Sequence, residues 1–179
     1  GRHNPPIATE HPFYVIIESL GSDAERNATQ FREALESALA QELIVDAVIA
    51  QSSTQRDGLW AIREDIEGLI QGLAPLFTFD VSLPIAEMQR YTDELEAQLT
   101  QRWPDARLVV FGHLGDGNLH ISVSAGSAEV SVRREVEAMV YQPLATLGGS
   151  ISAEHGIGLE KRPWLSTCRS SAEIELMQT

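Results

Sequence analysis

The segment Phe111–Ser124, FGHLGDGNLHISVS, constrains this chain most. Asp116-Gly117 lies between two apolar runs, and Asp-Gly in that setting favours a two-residue hairpin turn. With that turn, Gly115 faces Asn118, Leu114 faces Leu119, and His113 faces His120. Directly opposed residues have Cβ atoms roughly 5 Å apart, close enough for two imidazoles to share one ion. Side chains alternate between faces with a period of two. Val110, Leu114, Leu119, Ile121 and Val123 then seek the core. His113, His120, Ser122 and Ser124 share the other face with Val109 and Phe111. The plain alternative is two histidines beside an ordinary turn.

A second segment, Gly148–Leu159 (GGSISAEHGIGL), sets Glu154 and His155 among glycines after an expected helix. Such a loop can bring its backbone and two polar side chains close to a ligand. Two neutral imidazoles and a carboxylate suit zinc or a similar divalent ion, and three protein ligands leave a position for substrate or water. The competing readings are a solvated loop carboxylate for Glu154 and a locally hydrogen-bonded loop histidine for His155.

The remaining elements alternate. Strands are expected at His11–Leu20, Val45–Gln51 and Leu76–Leu83, at Leu108–Phe111 and Leu119–Ser124 in the hairpin, and briefly at Ile151–Ala153. Helices are expected at Ala24–Gln41 behind a Ser22-Asp23 cap, and from Ser53 or Thr54 to about Leu73, with Pro75 marking the end. Pro84 opens another, Ile85–Arg102, with Met88, Tyr91, Leu95 and Leu99 buried. Glu129–Leu147 follows, with Val132, Val136, Met139, Val140 and Leu144 inward. A last helix begins near Ser170 or Ser171. This pattern predicts an α+β fold: a mostly antiparallel sheet with helices on one face, ferredoxin-like in style. A doubly wound α/β layout competes, but the hairpin and the lack of a phosphate loop disfavour it.

With 179 residues, 43% of them hydrophobic, the chain suits one domain with a real core. A net charge of −13 disfavours a nucleic-acid surface and repels anionic lipid. A lone Cys168 cannot form an internal disulfide, so a reducing compartment, the cytoplasm, is expected. No apolar run has the ~20 residues of a membrane span. Peripheral membrane attachment of a full-length protein stays open.

HLGDGNLH followed by GGSISAEHGIGLEK resembles the C-terminal substrate (cap) domain of FAD-linked oxidases of the vanillyl-alcohol oxidase type. Its members include D-lactate dehydrogenase, D-2-hydroxyglutarate dehydrogenase and the FAD subunit of glycolate oxidase. HPFYVIIE at 11–18, LWAIRED at 59–65 and FDVSLP at 79–84 extend the likeness, which runs from about His11 to the C-terminus. The resemblance implies His113, His120 and Glu154 as ligands of a divalent metal, zinc or manganese. It implies His155 as the base and Arg63 as the partner of a substrate carboxylate, a task suited to a planar guanidinium. On residue type alone, Arg63 reads instead as a solvated helix arginine facing Glu67 four residues on.

The resemblance further implies an FAD-dependent enzyme that oxidises a small anionic D-2-hydroxy acid to a 2-oxo acid, with hydride passing to flavin. FAD would be bound mainly by an N-terminal domain of the same polypeptide that is absent from this stretch. Residues 1–10 are then a linker, with Gly1 a remnant of expression, and 11–179 the substrate domain, inactive by itself. The electron acceptor is left open. Two alternatives stand beside this reading: a stand-alone metal-dependent hydrolase using the same His/His/Glu set, and a non-catalytic metal-binding module. The chain also departs from 2-hydroxyglutarate-selective relatives. Their K-x-D-x-S-L-P lysine is Thr78 here, and their threonine four residues after the arginine is Glu67. A second substrate carboxylate would meet a like charge, which favours a monocarboxylate or a bulkier hydroxy acid.

Overall fold

In the computed structural model, which describes residues 6–8, 10–11 and 13–178, the chain divides into two units, Gly1–Leu69 and Ile70–Thr179. The linker reading of 1–10 falls largely outside the described residues. In the first unit, the Asp23 carboxylate accepts from the Arg26 N–H and starts α1 (Ala24–Ala40) where the sequence places it. Ser52, one residue earlier than expected, caps α2 (Ser53–Glu64) by accepting from the Gln55 N–H.

The helix expected to continue to Leu73 stops at Asp65, and a short α3 (Ile66–Ile70) follows. The Asp65 carboxylate accepts from the Gly68 N–H, so this side chain caps a new helix instead of extending the old one.

Neither His11–Leu20 nor Val45–Gln51 is a strand among the described residues. Phe13, Val15, Ile17 and Leu20 are exposed. β-Branched and aromatic residues favour a strand only where a neighbour completes the ladder, and no described residue of this unit supplies one.

In the second unit, three alternating stretches form the sheet: β1 (Phe77–Ser82), β2 (Arg107–His113) and β3 (Asn118–Ser124). β3 lies in the middle, antiparallel to both neighbours. α4 (Ile85–Arg102) connects β1 to β2, giving a split βαβ arrangement. Behind Pro84, α4 buries Met88, Tyr91, Leu95 and Leu99, the stripe read from its spacing. α5 (Val130–Tyr141) buries Val136, Val140 and Tyr141.

These side chains and Phe77, Phe79, Val81, Leu119, Ile121 and Val123 make one core. The Tyr91 hydroxyl donates to the Val140 carbonyl at 2.9 Å, joining the two helices. The expected α+β fold with an antiparallel sheet is therefore observed. The Glu129–Leu147 helix is instead two, because Pro143 interrupts it ahead of α6 (Leu144–Leu147). Ile151–Ala153 forms no strand; its neighbour Ser150 makes an isolated bridge to Ser82. α7 (Leu165–Cys168) precedes α8 (Ser171–Leu176), which opens on the expected Ser170 with a capping box to Glu173.

The hairpin differs from the expected one. Leu114–Asp116 make a 3₁₀ turn and Gly117 closes it at φ 66°. His113 therefore pairs with Asn118, and His120 pairs with Phe111, not with His113. A slip of two positions leaves every side chain on its expected face, whereas a slip of one would have reversed them. Leu114 is the exception, because the turn lifts it out of the sheet into solvent. The Leu83 N–H donates to the Gly117 carbonyl at 2.8 Å, tying the turn to the end of β1.

A Cβ at Gly117 would stand 2.5 Å from the Leu83 carbonyl oxygen. Gly126 has a comparable φ of 75° but open space around it. Gly126→Ala should cost about 1 kcal/mol, the penalty of a left-handed backbone alone. Gly117→Ala should cost about 2 kcal/mol more, because the backbone it meets cannot yield. Urea denaturation of the two variants measures the difference.

Candidate functional site

Apolar residues alternate with polar ones along β1 and β3, so the sheet face opposite the core is polar. Register sets Asp80 beside His120 and Ser82 beside Asn118 across the β1–β3 ladder. His113 projects on this same face from the end of β2, diagonal to His120, with ring centroids 5.8 Å apart. The loop after the Ser150 bridge then lays Glu154 against both. Its carboxylate oxygens are 3.6 Å from His113 Nε2 and 3.5 Å from His120 Nε2.

One ligand atom from each of the three residues falls within 4.8 Å of the others. Ligands about 2.0–2.2 Å from a tetrahedral zinc stand ~3.4 Å apart, so the two imidazole–carboxylate separations fit such an ion. The donor set, two nitrogens and a carboxylate oxygen, is also one that zinc accepts. His155 extends from the same loop, its ring 5.9 Å from that of His120, and it is exposed. Arg63 belongs to the first unit, exposed in the last turn of α2. α2 ends at Glu64, so Arg63 and Glu67 do not share a continuous helix.

Beneath the loop lies a carboxylate to which the sequence reading assigned no role. Asp80 is 1% exposed. Its Oδ2 accepts from the backbone N–H groups of Ala153 (2.9 Å), Glu154 (3.1 Å) and His155 (2.9 Å). Successive N–H groups converging on one anion form a nest, which replaces the water the carboxylate has lost. Burial by itself would raise the Asp80 carboxyl. The N–H donations of His155 and Ala153, with Lys161 nearby, outweigh burial and hold the carboxyl below its ordinary value.

Lys161 donates to the Asp80 carbonyl at 3.1 Å and to Ser152 Oγ at 2.8 Å, and its ammonium lies 3.5 Å from the Asp80 carboxylate. Burial pulls this ammonium below its usual value against the raising effect of Asp80. The Ser152 hydroxyl in turn donates to the His155 carbonyl. Asn118, paired across the sheet with both His113 and Ser82, is buried with neither end of its amide hydrogen-bonded. The alternation Phe79-Asp80-Val81 was the available signal for Asp80: a lone carboxylate on the other face of an apolar strand. Lys161 had no local signal, since eight residues of loop separate it from Ser152.

Comparison with known proteins identifies the family. Residues 2–179 match the family described as FAD linked oxidases, C-terminal domain. A Xanthomonas citri pv. viticola protein named D-2-hydroxyglutarate dehydrogenase is 39% identical over 178 residues, covering 97% of this chain and 37% of its own length. A mitochondrial protein of Schizosaccharomyces pombe, provisionally named a D-lactate dehydrogenase, is 36% identical over 183 residues, 97% of this chain and 35% of its own length. The mitochondrial D-2-hydroxyglutarate dehydrogenase of Rattus norvegicus is 36% identical over 170 residues, 94% of this chain and 31% of its own length. The chain belongs to the C-terminal domain family of FAD-linked oxidases. It spans roughly a third of the length of the curated relatives it matches.

Lys161 makes charge-assisted bonds from a half-buried position, and such bonds are each worth about 1.5–3 kcal/mol. Lys161→Ala should lower unfolding stability by about that amount, whereas alanine at the exposed Arg90 should cost under about 1 kcal/mol. Parallel denaturant titrations of the two variants test this.

Proposed function

We propose that this chain is the substrate domain of an FAD-dependent dehydrogenase that converts a D-2-hydroxy acid to a 2-oxo acid. The observation that carries the reading is the convergence of His113, His120 and Glu154 beside His155, in a chain of the FAD-linked oxidase family. His113 and His120 would each give an imidazole nitrogen, and Glu154 a carboxylate oxygen, to zinc or manganese. A divalent ion there supplies Lewis acidity toward a hydroxyl and a carboxylate oxygen. FAD, bound mainly by the N-terminal domain of the full polypeptide, supplies the hydride acceptor.

His155 takes the hydroxyl proton at an imidazole nitrogen. Imidazole is the side chain most often used as a general base. Arg63, in the first unit, is the residue the family resemblance assigns to a substrate carboxylate, which its two parallel N–H donors suit. With a chain charge of −13, these local cations and not the overall field draw an anion in. Family membership favours this reading over a stand-alone metallohydrolase or a non-catalytic metal-binding module.

The substrate tail is short or uncharged. Thr78 lies on the site face of β1, exposed and two residues from Asp80, where the 2-hydroxyglutarate-selective pattern has lysine. No cation at that position meets a distal carboxylate. The free Cys168 accords with a cytoplasmic protein, and among the described residues no helix is long and apolar enough to cross a membrane. The names of the fission yeast and rat relatives place those two proteins in mitochondria.

In the full-length enzyme, His155→Ala should lower kcat about 10²–10⁴-fold on D-2-hydroxy acids. Unchanged turnover in that variant would remove the assigned base. Thr78→Lys should raise kcat/KM for D-2-hydroxyglutarate relative to D-lactate by about 10-fold or more, the worth of one charge-assisted contact. Steady-state kinetics on both substrates measures the ratio.

A further inference from the structure

We infer that Asp80 is a positioning residue that holds the two halves of the site together. Its carboxylate reaches both the loop and the hairpin, with Oδ2 taking the shorter N–H donations and Oδ1 a further one from Glu154 at 3.4 Å. Oδ2 gathers the N–H groups of Ala153, Glu154 and His155, fixing the backbone of the very residues that carry the third metal donor and the base. Oδ1 lies 3.6 Å from His120 Nδ1. That separation is longer than a hydrogen bond, but it places a negative charge on the side of the imidazole away from Glu154. A negative charge there favours the tautomer with its proton on Nδ1, leaving Nε2, the atom that faces Glu154, free to donate its lone pair.

The hairpin and the loop are joined by little else at this point. Glu154 and His155 make no other backbone hydrogen bond to the sheet among those described, and the Ser82–Ser150 bridge ends four residues before Glu154. The loop is glycine-flanked, so its conformation is not set locally. Lys161 completes the arrangement from the far side by holding the Asp80 carbonyl and Ser152. A buried, ionised carboxylate is costly to maintain, and a fold needing only stability would be served as well by an apolar side chain at this position. Its retention beneath the loop is accounted for by the positioning it performs.

This inference rests on the metal reading of His113, His120 and Glu154, and the test separates the two. The full-length flavin-loaded enzyme is prepared as wild type, Asp80→Asn, Asp80→Glu, His113→Ala and Val136→Ala. The last is a core variant that loses stability without touching the site. Zinc retention against a chelator of known affinity is measured by elemental analysis, together with kcat and KM. Hydrogen exchange is followed in the peptide spanning residues 150–158.

Asp80→Asn should weaken zinc retention about 10–100-fold. It should also speed exchange across the loop by about 10-fold or more. Excess zinc should refill the site without restoring kcat, because His155 stays misplaced. Val136→Ala should retain zinc and loop protection like the wild type. Should Asp80→Asn fail to fold, Asp80→Glu, which keeps the charge but displaces it by one methylene, is held to the same criteria. Wild-type zinc retention and wild-type loop protection in the Asp80 variants, with His113→Ala losing zinc, would overturn the inference alone. Zinc retention unaffected by His113→Ala would overturn the metal reading. In that case loop exchange and kcat decide Asp80, faster exchange with lowered kcat upholding it and wild-type values refuting it.

Discussion

β3 is hydrogen-bonded on both edges, and its strict alternation imposes two chemistries on one strand. Leu119, Ile121 and Val123 are 9%, 0% and 0% exposed and lock the sheet to α4 and α5. That packing fixes the strand's rotation, so Asn118, His120 and Ser122 must face the other way. Reversing one residue would bring an imidazole into the core and an isoleucine into the site. The polar face is thus positioned by the apolar one, and the energy of burying the apolar face holds the site in register.

What the site can do follows from how charge is arranged upon that face. Two imidazoles and a carboxylate converge at the surface, while a second carboxylate lies buried behind them. The surface carboxylate, Glu154, is a donor available to a cation. The buried one, Asp80, is already engaged by three N–H groups and is supported by Lys161. Two acids of similar intrinsic strength have been given different tasks by environment alone: one exposed beside histidines, the other in a nest of backbone dipoles.

The helical half of the second unit was legible in the sequence because its signals are local. Pro84 opens α4, Met88, Tyr91, Leu95 and Leu99 repeat at helical spacing, and Ser170 and Glu173 form a capping box within one turn. Among the described residues the expected strands of the first unit were not realised. His11–Leu20 and Val45–Gln51 have strand-like composition, but composition does not supply a hydrogen-bonding neighbour. The hairpin shows the same limit on a smaller scale. Asp116-Gly117 signalled a turn correctly, yet the tie between Gly117 and Leu83 lies outside the hairpin, and a four-residue connection resulted where two were expected.

By itself, the sequence determined which residues share the polar face, since the parity of their positions survives a two-residue slip. It also determined the family, since HLGDGNLH and SAEHGIGLEK are long enough to be specific. Only the tertiary structure decided that His113 and His120 meet diagonally, that Glu154 closes on both, and that Asp80 anchors the loop from below. Those relations join residues more than thirty positions apart in the case of Glu154 and more than seventy in the case of Asp80. No local propensity encodes such distances; the packing of β1 against β3 and the Ser82–Ser150 bridge bring them together.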